Sequence, residues 1–86
     1  MDGADACETS IRRFLADEVF LHRRPESIGL DDDLVAMGLD SLAVLRLVLF
    51  IETQFGIDAN GEDVLAAERL TVRGVAAYCA ERRLRR

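Results

Sequence analysis

The sequence predicts an all-α protein, a small four-helix bundle of three longer helices and one short helix with a long first loop. Three observations carry this. Apolar residues recur at helical spacing over residues 6–20, 41–55 and 72–79. No run of alternating apolar and polar residues appears that would mark a strand. Gly56 and Thr71 stand where one helix should stop and another start.

Each element follows from its local pattern. Over 6–20, Cys7, Ile11, Phe14, Leu15 and Val19 form an i, i+4, i+7, i+8 stripe, with Glu8, Arg12, Arg13 and Asp17 mostly elsewhere on the helix. The connection from Leu21 to Leu39 is longer than most loops between packed helices, and loops of that length tend to be functional or disordered. It carries Pro25, Gly29 and Asp31-Asp32-Asp33, with Ile28, Leu30, Leu34 and Met37 as anchors that favour an ordered loop laid over the bundle. The acidic triplet is read as a solvated charge run. A calcium loop starting at Asp31 would put Leu42 where a bidentate Glu is required, and one starting at Asp58 would put Arg69 there.

From Ser41 to Phe55 the periodicity puts Leu42, Leu45, Val48, Leu49, Glu52 and Phe55 on one side, widened by Val44 and Ile51, with Leu47 and Phe50 outside it. A helix apolar nearly all round is buried on most sides or meets a partner. In so small a domain part of it, with Phe50 a candidate, is expected to be a contact surface. Gly56 should end this helix as a left-handed C′ residue, with Ile57 returning to the core. Residues 61–68 are expected to form the short helix, with Val64 and Leu65 inward. Thr71 should cap the last helix, whose Val72, Val75, Ala76 and Cys79 make another core stripe.

The chain of 86 residues has room for one domain, 1–86, with a core over about 6–80 and an Arg-rich tail at 82–86. Its longest uninterrupted apolar stretch, Leu47 to Ile51, is too short to span a bilayer, so no membrane partner is expected. The acidic N-terminus has no basic and apolar signal pattern, which makes the cytoplasm the default. Cys7 and Cys79 match no metal spacing and read as buried small hydrophobes. With His22 the only histidine, a zinc site or a histidine-based triad lacks its usual parts. The net charge is −5; residues 81–86 carry four Arg against Glu81, or +3, which leaves −8 on residues 1–80. An acidic body disfavours nucleic acid and would steer a basic partner.

The stretch Met37-Gly38-Leu39-Asp40-Ser41-Leu42 organises the rest. Asp and Ser at the mouth of a helix satisfy orphan N–H groups, so a cap is one reading. The other is that Ser41, held at a helix start beside a loop, is exposed for another enzyme to modify.

This stretch, with Leu34 before it and Leu45, Leu47, Val48, Ile51, Glu52, Phe55-Gly56-Ile57, Thr71-Val72 and Tyr78 after it, resembles the acyl carrier protein family, which includes peptidyl and aminoacyl carriers. The resemblance spans roughly residues 8–82. It implies that Ser41 carries a 4′-phosphopantetheine arm, attached from coenzyme A by a phosphopantetheinyl transferase, with Asp40 capping the helix and presenting the serine. The arm's thiol would hold acyl intermediates as thioesters, so the chain itself is expected not to be an enzyme. A loading ligase or acyltransferase and downstream biosynthetic enzymes are the implied further partners, and the chain is expected to act as a monomer.

Departures from the family pattern refine this. Where carriers of fatty acid synthesis commonly bear acids, this chain has Ala36, Ala43 and Arg46. The pattern favours a dedicated carrier of a secondary-metabolite, polyketide-type pathway; an aminoacyl or peptidyl carrier of a nonribosomal-peptide-type pathway is the alternative. Leu42, Ala43, Arg46, Leu49, Phe50 and Thr53 are the expected partner face. The rival from another class is a non-covalent helical interaction module, with Ser41 only a cap and the broad apolar helix its binding surface.

Overall fold

Helical periodicity and well-placed stop signals give three helices in a computed structural model that describes residues 3–59, Val64 and 70–84. Helix α1 spans Gly3–Glu18, α2 spans Ser41–Phe55 and α3 spans Val72–Leu84. The described residues are helical or irregular, with no strand among them. Helix α1 begins three residues before the expected 6–20 segment and stops earlier, because the Val19 and Phe20 N–H groups both turn back to the Leu15 carbonyl. The expected short helix over 61–68 falls outside the described residues except for Val64, which is helical and fully buried.

The core is the meeting of the α1 and α3 stripes. Cys7, Ile11 and Leu15 of α1 and Val72, Val75, Ala76 and Cys79 of α3 are all buried, as their spacing requires. Both cysteines are free thiols. Thr71 caps α3 by accepting the Gly74 N–H at 3.0 Å, the side-chain bond that a helix start needs. At the other end of α3, the Arg83 guanidinium lies 5.9 Å from the Phe55 ring centroid, a cation–π contact between α3 and the end of α2.

The long connection is ordered by its own polar groups. Ile28, Leu34 and Leu39 are buried anchors, and a 3₁₀ turn at Pro25–Ser27 is held by Arg12, which donates to the Pro25 and Glu26 carbonyls at 3.0 Å each. Two backbone bonds, Leu34 N–H to Leu70 and Arg73 N–H to Leu30, fasten the loop to the start of α3. The acidic triplet is therefore more than a solvated charge run. Asp31 forms a bidentate pair with Arg73 at 2.8 and 3.1 Å, Asp32 accepts the Gly29 N–H, and Asp33 accepts the N–H groups of Val35 and Ala36. Short acidic side chains in turns bond neighbouring backbone in this way.

The side of α2 that is buried is not the apolar side that periodicity groups around Leu42, Leu45 and Leu49. Its buried residues are Ala43, Val44, Leu47, Val48 and Ile51, whereas Leu42, Leu45 and Leu49 are exposed at 67%, 56% and 56%. The buried arc is rotated by about a third of a turn, at about 100° per residue, from the side on which periodicity gathers Leu42, Leu45 and Leu49. A helix apolar nearly all round has no pattern strong enough to choose its own inward side. The choice falls to the flanking anchors, Leu39 before the cap and Ile57 after Gly56, both buried. Gly56, at φ 64°, makes the left-handed turn expected of it.

Candidate functional site

The turn before α2 is held residue by residue up to Ser41. Asp33 accepts the Val35 and Ala36 N–H groups, and the Met37 N–H returns to the Asp33 carbonyl. Gly38 sits at φ 113°, a backbone conformation that favours glycine, and a Cβ there would meet nothing within 4 Å; the requirement is conformational alone. Leu39 donates its N–H to the Leu34 carbonyl and buries its side chain. Asp40 then adopts an extended conformation, and its carboxylate accepts the Ala43 N–H at 2.8 Å while its carbonyl accepts the Val44 N–H at 2.9 Å.

Ser41 is the first residue of α2, and its side chain is exposed. Among the described residues, no protein acceptor takes the N–H of Ser41 or Leu42. Two open N–H donors and the positive end of the helix dipole surround the hydroxyl, and such a place suits a phosphate ester. No described hydrogen bond joins the Ser41 hydroxyl to a base. Among the described residues no cluster of His, Cys, Asp or Glu could hold a metal ion, and no helix is long and apolar enough to cross a membrane.

The surface beside Ser41 differs from the expected partner face in two members. Ala43 is only 8% exposed, because it lies on the arc of α2 turned into the core. Phe50 is half-buried: its ring stacks on Phe14 of α1, with centroids 4.5 Å apart, and meets Phe55 edge-on at 6.2 Å. Leu42, Arg46, Leu49 and Thr53 are exposed as expected. Arg46, however, has a partner in the chain itself: its Nη2 lies 2.7 Å from the Glu18 carboxylate and its Nη1 donates to the Glu18 carbonyl at 3.1 Å. Below that pair, an open groove of about 670 Å³ runs between α1 and α2 over the Phe14–Phe50 stack, with Leu49 and Thr53 on one wall and Ser10 and Asp17 on the other.

Leu45 and Val35, 56% and 54% exposed, join the surface although neither is among the expected partner-face residues. One signal for this was present in the sequence. Arg46 and Thr53 share the arc of Leu42, Leu45 and Leu49, while Ala43, Val44, Leu47, Val48 and Ile51 share theirs with no charged residue.

Comparison with known proteins adds one finding at this point. The family model described as the phosphopantetheine attachment site matches residues 18–79, from the end of α1 to Cys79 and through the whole of α2. No curated protein and no solved structure gives a significant match.

Proposed function

The chain belongs to the phosphopantetheine attachment site family, a carrier family of acyl and peptidyl carrier type whose domains bear covalent 4′-phosphopantetheine, and we propose that Ser41 is the residue that bears it here. The observation that carries the proposal is the exposed Ser41 hydroxyl at the first position of α2, beside two open N–H donors and inside the matched span. The bound group supplies a thiol that holds an acyl group as a thioester.

The chain's own contribution is presentation. Asp40 engages the Ala43 N–H, which fixes the first turn and leaves the Ser41 and Leu42 N–H groups for the ester oxygens. The turn over 33–39 aims the serine outward, and the buried Leu39 anchors that turn to the core. In this reading the base that deprotonates Ser41 comes from a phosphopantetheinyl transferase, and the chain has no catalytic activity of its own.

The reading extends to one carrier domain over 1–86, a four-helix bundle completed by a short helix over 61–68, working as a monomer in the cytoplasm. Its cargo is an acyl group of a secondary-metabolite, polyketide-type pathway, passed from a loading ligase or acyltransferase to downstream enzymes. Ala36, Ala43 and Arg46 support this, since they stand where a fatty-acid carrier would bear acids. An aminoacyl or peptidyl cargo is the second reading within the class, which the same loss of acidic residues leaves open.

The test is intact-mass measurement after incubation with coenzyme A and a broad-specificity transferase. A single adduct of one phosphopantetheinyl group in the wild type, absent in Ser41→Ala, is the expected result. An adduct that persists in Ser41→Ala refutes the assignment. Mass of the loaded thioester after incubation with an acyl or an aminoacyl ligase then separates the two cargo classes. The exposed leucines of α2 favour one rival, a non-covalent helical module. A stable homodimer that covers Ser41, with no modification in cells, would support that rival.

A further inference from the structure

The groove of about 670 Å³ between α1 and α2 has a floor of aromatic rings. Phe14 and Phe50 stack with centroids 4.5 Å apart and planes 19° from parallel, and Phe55 meets Phe50 edge-on at 6.2 Å. Both stacked rings are half-buried and line the groove, so they present apolar surface to it. At the rim nearest Ser41 the charges neutralise each other, since the Arg46 guanidinium lies 2.7 Å from the Glu18 carboxylate. An uncharged group can enter there without stripping water from an unpaired ion.

The groove lies within reach of the serine. Leu49, on its α2 wall, is about 12 Å along the helix from Ser41 at about 1.5 Å per residue. It is also about 80° round the helix, at about 100° per residue. A phosphopantetheine arm has about fourteen skeletal bonds between the serine oxygen and the thiol, and at about 1.2 Å of reach per bond it extends about 17 Å. The acyl group beyond the thiol therefore arrives over the Phe14–Phe50 stack with the arm folded back along α2.

The shape of the groove selects among acyl groups. It is open to solvent along its length, so an occupant buries one side and leaves the other in water. A flat ring meets that condition in one rigid placement and adds an offset stack on the phenylalanines. A flexible alkyl chain would lose rotamer freedom for the same one-sided contact. We infer that the groove between α1 and α2 is a resting site for the acyl group carried on Ser41, and that the group it favours is aromatic. This rests on the proposal that Ser41 bears the arm. A ring held there keeps its thioester against the protein surface, which slows attack by water.

The experiment loads the carrier from benzoyl-coenzyme A or hexanoyl-coenzyme A with a broad-specificity transferase and follows thioester hydrolysis by intact mass. Each rate is divided into that of the same acyl group on free pantetheine. Benzoyl should be protected about 5-fold, which corresponds to ~1 kcal/mol, and hexanoyl less than about 2-fold. Nuclear Overhauser contacts should join the benzoyl ring to Phe50 and Leu49. Phe14→Leu, which removes one ring of the stack, should abolish the protection. So should Thr53→Trp, which fills the groove from an exposed position and decides the matter if Phe14→Leu does not fold. Equal protection of hexanoyl and benzoyl overturns the aromatic preference. Benzoyl protection that survives Thr53→Trp, or no protection in the wild type, overturns the groove while the Ser41 assignment stands. Absence of any adduct from coenzyme A itself overturns the assignment and the resting site together.

Discussion

Arg46, in the middle of α2, reaches the last residue of α1: its guanidinium lies 2.7 Å from the Glu18 carboxylate and donates to the Glu18 carbonyl at 3.1 Å. One side chain thus answers both a charge and an unpaired carbonyl at the C-terminal end of a helix, where cations are favoured by the helix dipole. Both side chains are about half exposed, which limits the energy involved. Arg46→Gln should cost about 0.2–1 kcal/mol, the range for exposed pairs. Urea unfolding at low and high salt checks this, and the difference from wild type should shrink as salt rises.

Asp40 offers a second measurement. Its carboxylate satisfies the Ala43 N–H, so Asp40→Ala removes the cap and should destabilise the protein by about 1 kcal/mol, while Asp40→Asn retains most of it. Thermal midpoints of the two variants should rank in that order. Transfer onto Ser41 should slow in the alanine variant by more than its stability loss explains at a temperature where both are folded.

Asp31 and Arg73 join the long connection to α3. The guanidinium holds the Asp31 carboxyl below its ordinary value of 3.8, chiefly through the hydrogen bond between them. A depressed folded value means that the pair's contribution is present above the unfolded value and is lost as pH falls through the folded one. Arg73→Gln should therefore lower the denaturation midpoint slightly at neutral pH. Below the ordinary carboxylate value the difference between variant and wild type should fade, which a titration of midpoint against pH would read.

Cys79 is fully buried, and burial, with a smaller contribution from Cys7, pushes its thiol up from 9.0 to about 12. The thiolate is the reactive form, so Cys79 should resist iodoacetamide at pH 8 in the folded protein and label fully once urea unfolds it. The same raised value fixes a sign: stability that is present below pH 9.0 is lost progressively as pH rises toward about 12. Cys79→Ala should flatten that alkaline decline.

The sequence by itself determined the features that depend on neighbours along the chain. The α1 and α3 stripes, the Thr71 cap, the Gly56 turn and the Asp40-Ser41 start of α2 all follow from spacing, capping chemistry and backbone preference, which act within a turn or two of helix. For the same reason the hexapeptide around Ser41 could be singled out before any contact was known. Tertiary structure decided what lay between elements. Which side of α2 faces inward could not be read from an almost uniformly apolar helix, and the buried anchors Leu39 and Ile57 resolved it by exposing Leu42, Leu45 and Leu49. Likewise Arg46 looked like a free cation because Glu18 is 28 residues away, and Phe50 looked like surface because its partner Phe14 lies on another helix. Distant pairings arise only when helices pack, since periodicity records a residue's angle on its own helix and nothing about what stands opposite.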